Sequence, residues 1–109
     1  MQDTATLDAR RGHKLVTKTL AAALPALYAT DGQGDSAVAH VKFFSPFNGW
    51  EWYATEYDPT TGTFFGLVKG FDAELGYFTL AELASAAVNG VPAVERDLYF
   101  DPTPLGQVR

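Results

Sequence analysis

Residues 48–65 read NGWEWYATEYDPTTGTFF, and their alternation decides the fold. Trp50, Trp52 and Ala54 alternate with Glu51, Tyr53 and Thr55, the period-two pattern of a strand with two unlike faces. Asp58-Pro59-Thr60-Thr61-Gly62 supplies a turn: Pro59 presets φ, and Gly62 takes the positive φ that closes a short loop. Phe64 and Phe65 open the return strand, so the stretch predicts a hairpin.

Working outward, Ala37–Phe44 (AVAHVKFF) predicts the strand before it, joined through Ser45-Pro46-Phe47-Asn48-Gly49. Asn48-Gly49 is a strong short turn signal. Thr63–Lys69 predicts the strand after it, giving an antiparallel meander. Gly70–Gly76 reads as a loop, with Tyr77-Phe78 adding a short strand. Thr79-Leu80-Ala81-Glu82 is a capping box and predicts a helix from Leu80 to about Val88, closed by Asn89-Gly90. Val94–Phe100 reads as a last strand, stopped by Asp101-Pro102-Thr103-Pro104. Upstream, Thr17 caps a helix to about Leu24, and Thr30–Ser36 is a loop. Residues 1–14 are expected to be a flexible extension and residues 15–109 a single domain. The fold expected is α+β, an antiparallel sheet of three to five strands packed on one face by two short helices.

With 109 residues and 47% hydrophobic composition, the chain is long enough for one core. It has no cysteine, which excludes disulfides and thiolate chemistry and fits a cytoplasmic setting. No apolar run approaches the ~20 residues that span a bilayer, and the N-terminus lacks the apolar region of a signal peptide. Residues 31–109 hold four basic against eleven acidic side chains, a balance of −7. Such a body repels phosphates and suits a basic partner surface. The basic residues Arg10, Lys14 and Lys18 lie outside that body.

No arrangement of residues specifies a reaction. His13 and His40 are isolated, and neither a triad, a zinc motif nor a phosphate-binding glycine loop is present. No catalytic residue, metal or cofactor is expected. Glu51 and Glu56 differ in parity, so a regular strand points them to opposite faces. Glu56 shares the parity of Trp50 and Trp52. There it would either hold a raised pKa or, the favoured reading, pair with Arg96 or Lys42. Trp50 and Trp52 are read as core in preference to a stacking platform, since residues 45–68 contain no Lys or Arg. The acids expected to meet a partner are Glu51, Glu56 and Asp58 at the central hairpin, with Asp72, Glu74, Glu95 and Asp97.

At KFFSPFNGWEWYATEYDP, FFGLVKGFDAELGYFTLAEL and ERDLYFDPTPL the chain resembles a family of small bacterial proteins catalogued as a domain of unknown function and carried on plasmids and other mobile elements. The likeness runs from about Leu15 to Val108 and supplies no catalytic residues. It implies an accessory role in establishing the element. The expectation is a non-enzymatic anti-defence protein, anti-CRISPR or anti-restriction, that binds a host protein or ribonucleoprotein complex through an acidic surface. The alternatives are a small hydrolase or nucleotide-modifying enzyme using Glu56, Asp97 and His40, and a structural or regulatory subunit of conjugation machinery.

Overall fold

The computed structural model describes residues 4–109. The chain begins with helix α1 (Thr4–Arg11), then α2 (Lys18–Ala23). Thr17 caps α2, its side chain accepting from the Leu20 amide at 3.2 Å. Strands β1 (Val38–Ala39), β2 (Val41–Phe44), β3 (Glu51–Asp58), β4 (Thr63–Lys69) and β5 (Ala73–Thr79) follow. Helix α3 (Leu80–Ser85) comes next, then β6 (Ala87–Val88), β7 (Val91–Pro92), β8 (Glu95–Arg96) and β9 (Thr103–Pro104). The main sheet is antiparallel throughout, in the order β5-β4-β3-β2-β8. This is the α+β domain that the alternation and the capping box predict. Among the described residues, no helix is long and apolar enough to cross a membrane.

One face of the sheet carries the larger core. Val41, Phe43, Ala54, Tyr57, Phe64 and Phe78 pack there with Leu20 and Ala21 of α2 and with Leu83 and Ala84 of α3. Phe64 is its centre, with Tyr57 stacked at 4.3 Å, Phe78 at 5.2 Å and Phe43 edge-on at 5.3 Å between ring centroids. Such aromatic contacts add to the area buried. The opposite face is also covered, which the sequence did not indicate. Ala37, Ala39, Tyr53, Leu67 and Leu105 cluster there beneath the β1–β9 ribbon and the C-terminal turn.

A β-bulge divides β3. Ala54 pairs with Gly66 and Glu56 with Phe65, so Thr55 is the extra residue. Before it, even positions face the helices; after it, odd positions do. Tyr53 and Glu56 therefore share the face away from the helices. The chains approach closely at this point: a Cβ on Gly66 would lie 1.8 Å from the Tyr53 carbonyl oxygen.

Several boundaries differ from the sequence expectation. Thr4–Arg11 is helical and Leu7 is 0% exposed, whereas residues 1–14 read as a loose extension; residues 1–3 lie outside the described residues. Residues 73–76, expected in a loop, belong to β5. Helix α3 stops at Ser85, because Asn89 (φ 51°) and Gly90 (φ 77°) form the turn of the β6–β7 hairpin and do not cap a helix. Of the expected last strand, Glu95 and Arg96 form the strand that pairs with β2, and the Asp97 amide extends it by one bond to the Lys42 carbonyl at 2.9 Å.

Candidate functional site: an aromatic and acidic corner of the sheet

Trp50 lies just before β3, where Gly49 (φ 76°) closes the loop from Ser45 and Asn48 Oδ1 accepts from the Trp50 amide at 3.0 Å. Its indole rests on Gly70, where an added Cβ would come within 2.6 Å of the ring. Phe71 follows in the β4–β5 turn, which is held by the Gly70 amide donating to the Asp72 carbonyl at 3.0 Å. The Phe71 ring meets Trp50 edge-on at 5.4 Å and is 94% exposed. Trp52 completes the row at 6.1 Å from Trp50. Asp72 and Glu74 stand exposed beside these rings, and a groove of about 240 Å³ runs between Trp50, Val68, Phe71 and the two acids. Trp52 packs against the core, as expected, but Trp50 does not belong to it.

A second charged set lies on the sheet face away from the helices. Lys42 Nζ sits 3.2 Å from Glu51 and 3.8 Å from Asp97, and Lys69 Nζ lies 3.8 Å from Glu51. The Tyr53 hydroxyl donates to Glu51 at 3.1 Å. Burial alone would raise the Glu51 pKa, but the hydrogen bonds from Lys42 and Tyr53 and the charges of Lys42 and Lys69 hold it below the ordinary value. Lys42 is likewise held above its ordinary value: burial opposes this most strongly, and the hydrogen bonds and charges of Glu51 and Tyr53 together outweigh it. Glu51 and Asp97 are thus brought together around lysines that balance their charge.

The remaining predicted acids do other work. Glu56 is 1% exposed and pairs with neither Arg96 nor Lys42. Its carboxylate accepts from the amides of Tyr28 at 2.7 Å and Thr30 at 2.9 Å, and from the Thr30 hydroxyl. The bulge corrects both expectations for it: Glu56 leaves the face of Trp52 and joins that of Glu51, beneath the loop after α2. A residue so enclosed cannot be part of a partner surface, and it is withdrawn from that set. Asp58 caps its own turn, accepting from the Thr60 amide at 2.9 Å and the Thr61 hydroxyl at 3.1 Å. Glu95 is half-buried opposite Phe44. Asp72 and Glu74 lie beside the exposed ring of Phe71, and Asp97 accepts from the amide of Tyr99, which is equally exposed, at 3.0 Å.

Sequence reasoning set His13 aside as an isolated histidine and missed its contact with the segment that holds Arg96. His13 Nε2 accepts from the Arg96 amide at 3.1 Å, so that nitrogen carries a lone pair. Burial first, then the charges of Arg96 and Arg11, lower its pKa. Nothing in the spacing of His13 and Arg96 announces the contact. His40 is lowered by burial. Among the described residues no hydrogen bond or ion pair joins His40, Glu56 and Asp97, and no group of three or more His, Cys, Asp or Glu could hold a metal. A larger hollow, about 490 Å³, follows the seam between Leu15, the Pro59–Gly62 turn and α3, and Asp8 and Lys14 are its charged lining.

Residues 15–106 match the model of a family described as a protein of unknown function, DUF2958. No curated protein and no solved structure matches the chain.

Proposed function

We propose that this chain, which belongs to the DUF2958 family, is a non-enzymatic accessory protein of a mobile element that protects the element by binding a host defence assembly. The carrying observation is the corner where Phe71, 94% exposed, stands against Trp50 with Asp72 and Glu74 beside it. A large ring left in water gains most when a partner covers it, and such residues dominate binding energy at interfaces. Rings next to carboxylates favour cationic side chains, which stack on the ring face and pair with the acid. A groove lined by Lys and Arg to hold nucleic acid offers that chemistry, and an acidic body speeds the encounter. In this reading the chain is an anti-CRISPR or anti-restriction inhibitor acting in the cytoplasm, and the corner replaces Glu51, Asp58, Glu95 and Asp97 as the contact surface.

The test starts from a partner recovered by pull-down from host lysate with nuclease present. Association rates are then measured at two ionic strengths. Phe71→Ala should weaken binding by about tenfold or more and leave the melting curve unchanged. Asp72→Lys with Glu74→Lys should slow association in low salt, and less so in high salt. Wild-type rates from both variants would remove the corner from the interface. Inhibition at amounts far below those of the target would indicate catalysis, and His40 and Asp97 would then be mutated.

A further inference from the structure

We infer that the free edge of β5 pairs with the same edge of a second copy of this chain, about a two-fold axis at Gly76.

The two ends of the β4–β5 ladder show which way each residue of β5 points. At one end the Leu80 amide donates to the Gly62 carbonyl at 2.8 Å, and at the other the Asp72 carbonyl accepts from Gly70 at 3.0 Å. The register between them is unbroken. Successive residues of an antiparallel strand turn their amide and carbonyl groups to alternate sides. Even positions from 72 to 80 therefore bond toward β4, and Ala73, Leu75 and Tyr77 turn theirs off the sheet. The next in that series, the Thr79 amide, is taken by the Glu82 carboxylate at 3.1 Å, which closes the edge there. Among the described residues no strand lies beyond β5.

Edges that must stay single usually carry lysine, proline or a bulge. The sequence of β5, AELGYFT, has none of these, and Glu74 is its one charge. Leu75 (45% exposed) and Tyr77 (56% exposed) point to the same face, where Tyr77 already meets Phe65 at 5.0 Å.

A second copy fits this edge by its own symmetry. With the axis at Gly76, Leu75 of each copy lies opposite Tyr77 of the other. Both are outward-bonding positions, so the two pairs exchange four main-chain hydrogen bonds and set leucine against tyrosine. Gly76 opposes Gly76 at the closely spaced, non-bonded position, with no side chains to collide. Glu74 opposes Phe78 and not its own copy. The paired area falls at the low end for interfaces, below about 1,200 Å², so the dimer is concentration-dependent. Both copies are acidic, so added salt strengthens it, the reverse of the expectation for a basic partner at the corner.

Sedimentation equilibrium from about 10 μM to about 1 mM should show a dimer fraction that rises with concentration and with salt. Tyr77→Lys should weaken it by about tenfold. Gly76→Cys gives a chain with a single cysteine at a position with open space around it. Facing Cα atoms at such a pair lie about 4.5 Å apart, within disulfide reach, so mild oxidation should cross-link this variant. Ala73→Cys, placed far from its own copy, should stay reduced. If Tyr77→Lys does not fold, the cysteine pair decides. A monomer across the whole range, or a dimer unmoved by Tyr77→Lys while Gly76→Cys stays reduced, overturns the inference.

Discussion

Arg11 Nε donates to the main-chain carbonyl of Val94 at 2.8 Å, across 83 positions of sequence. The same guanidinium binds Asp8 at 2.5 Å and reaches the Ala84 carbonyl at 3.5 Å, and its side chain is fully buried. Helix α1 is thereby clipped to the end of α3 and to the segment before β8. Arg11→Met keeps much of the apolar stem but leaves Val94 and Asp8 unpaired, and should cost about 2–3 kcal/mol. Arg11→Lys should recover little, because an ammonium gathers its donors at one point and cannot reach acceptors that Nε and the two terminal nitrogens bind separately. Urea melts measure both. An unchanged midpoint for Arg11→Met would mean that the Arg11 contacts contribute nothing to stability.

Glu56 organises the loop after α2. Its two oxygens take the amides of Tyr28, held at φ 72°, and Thr30. Glu56→Gln presents an NH₂ group to a set of donors, and one of them loses its acceptor. The expected loss is about 2 kcal/mol, read from denaturant midpoints. Unaltered stability would place the loop's support elsewhere, for instance in the Tyr57 amide bond to the Pro25 carbonyl at 2.8 Å.

The capping box of α3 is complete. Thr79 Oγ1 accepts from the Glu82 amide at 3.1 Å, and Glu82 accepts from the Thr79 amide at 3.1 Å. Thr79→Ala should lower stability by about 1 kcal/mol, and Thr79→Ser should retain most of it. Equal midpoints for Thr79→Ala and wild type would show the cap to be dispensable.

Stability should fall on acidification in two stages. His13 titrates below its ordinary 6.5 and Glu51 below its ordinary 4.5 when folded. In each window the unfolded chain binds more protons, so stability rises with pH. His13's contribution is complete above about pH 6.5 and is lost as pH falls through its folded pKa. Glu51's is complete above about 4.5 and is lost further down. Urea melts from pH 7.5 to 4 would show His13→Gln with a flatter profile than wild type just below pH 6.5. Parallel profiles would exclude His13.

Where local chemistry alone decides, the sequence is readable. Thr17 and Thr79 cap helices because each hydroxyl meets an amide three residues on. Strand β4 has the predicted bounds because its apolar alternation needs no distant information. The first half of β5, residues 73–76, reads as loop because Gly70 and Gly76 flank it and alanine and glutamate are poor strand formers; pairing with β4 supplies the strand, Gly76 lying opposite Gly66. Asn89-Gly90 serves a helix end or a hairpin equally well, and the Val88–Val91 pairing decides between them. Of the site, Asp72 and Glu74 are among the acids singled out from sequence. The exposure of Phe71 depends on Trp50 occupying the space over Gly70, a contact between segments that no local pattern encodes.

Thr55 works as a frame shift within a single strand. A strictly alternating β3 that kept Thr55 without the bulge would turn every residue from Glu56 to Asp58 to the other side. A carboxylate would then point among Phe43, Phe64 and Leu83, while Tyr57 would abandon its stack on Phe64 for the loop that Glu56 now holds. One inserted threonine, its hydroxyl tied to the Phe65 carbonyl at 3.1 Å, therefore sets the phase in which the second half of the hairpin is read. Deleting Thr55 places Glu56 directly after Ala54 in regular alternation and should keep both on their present faces.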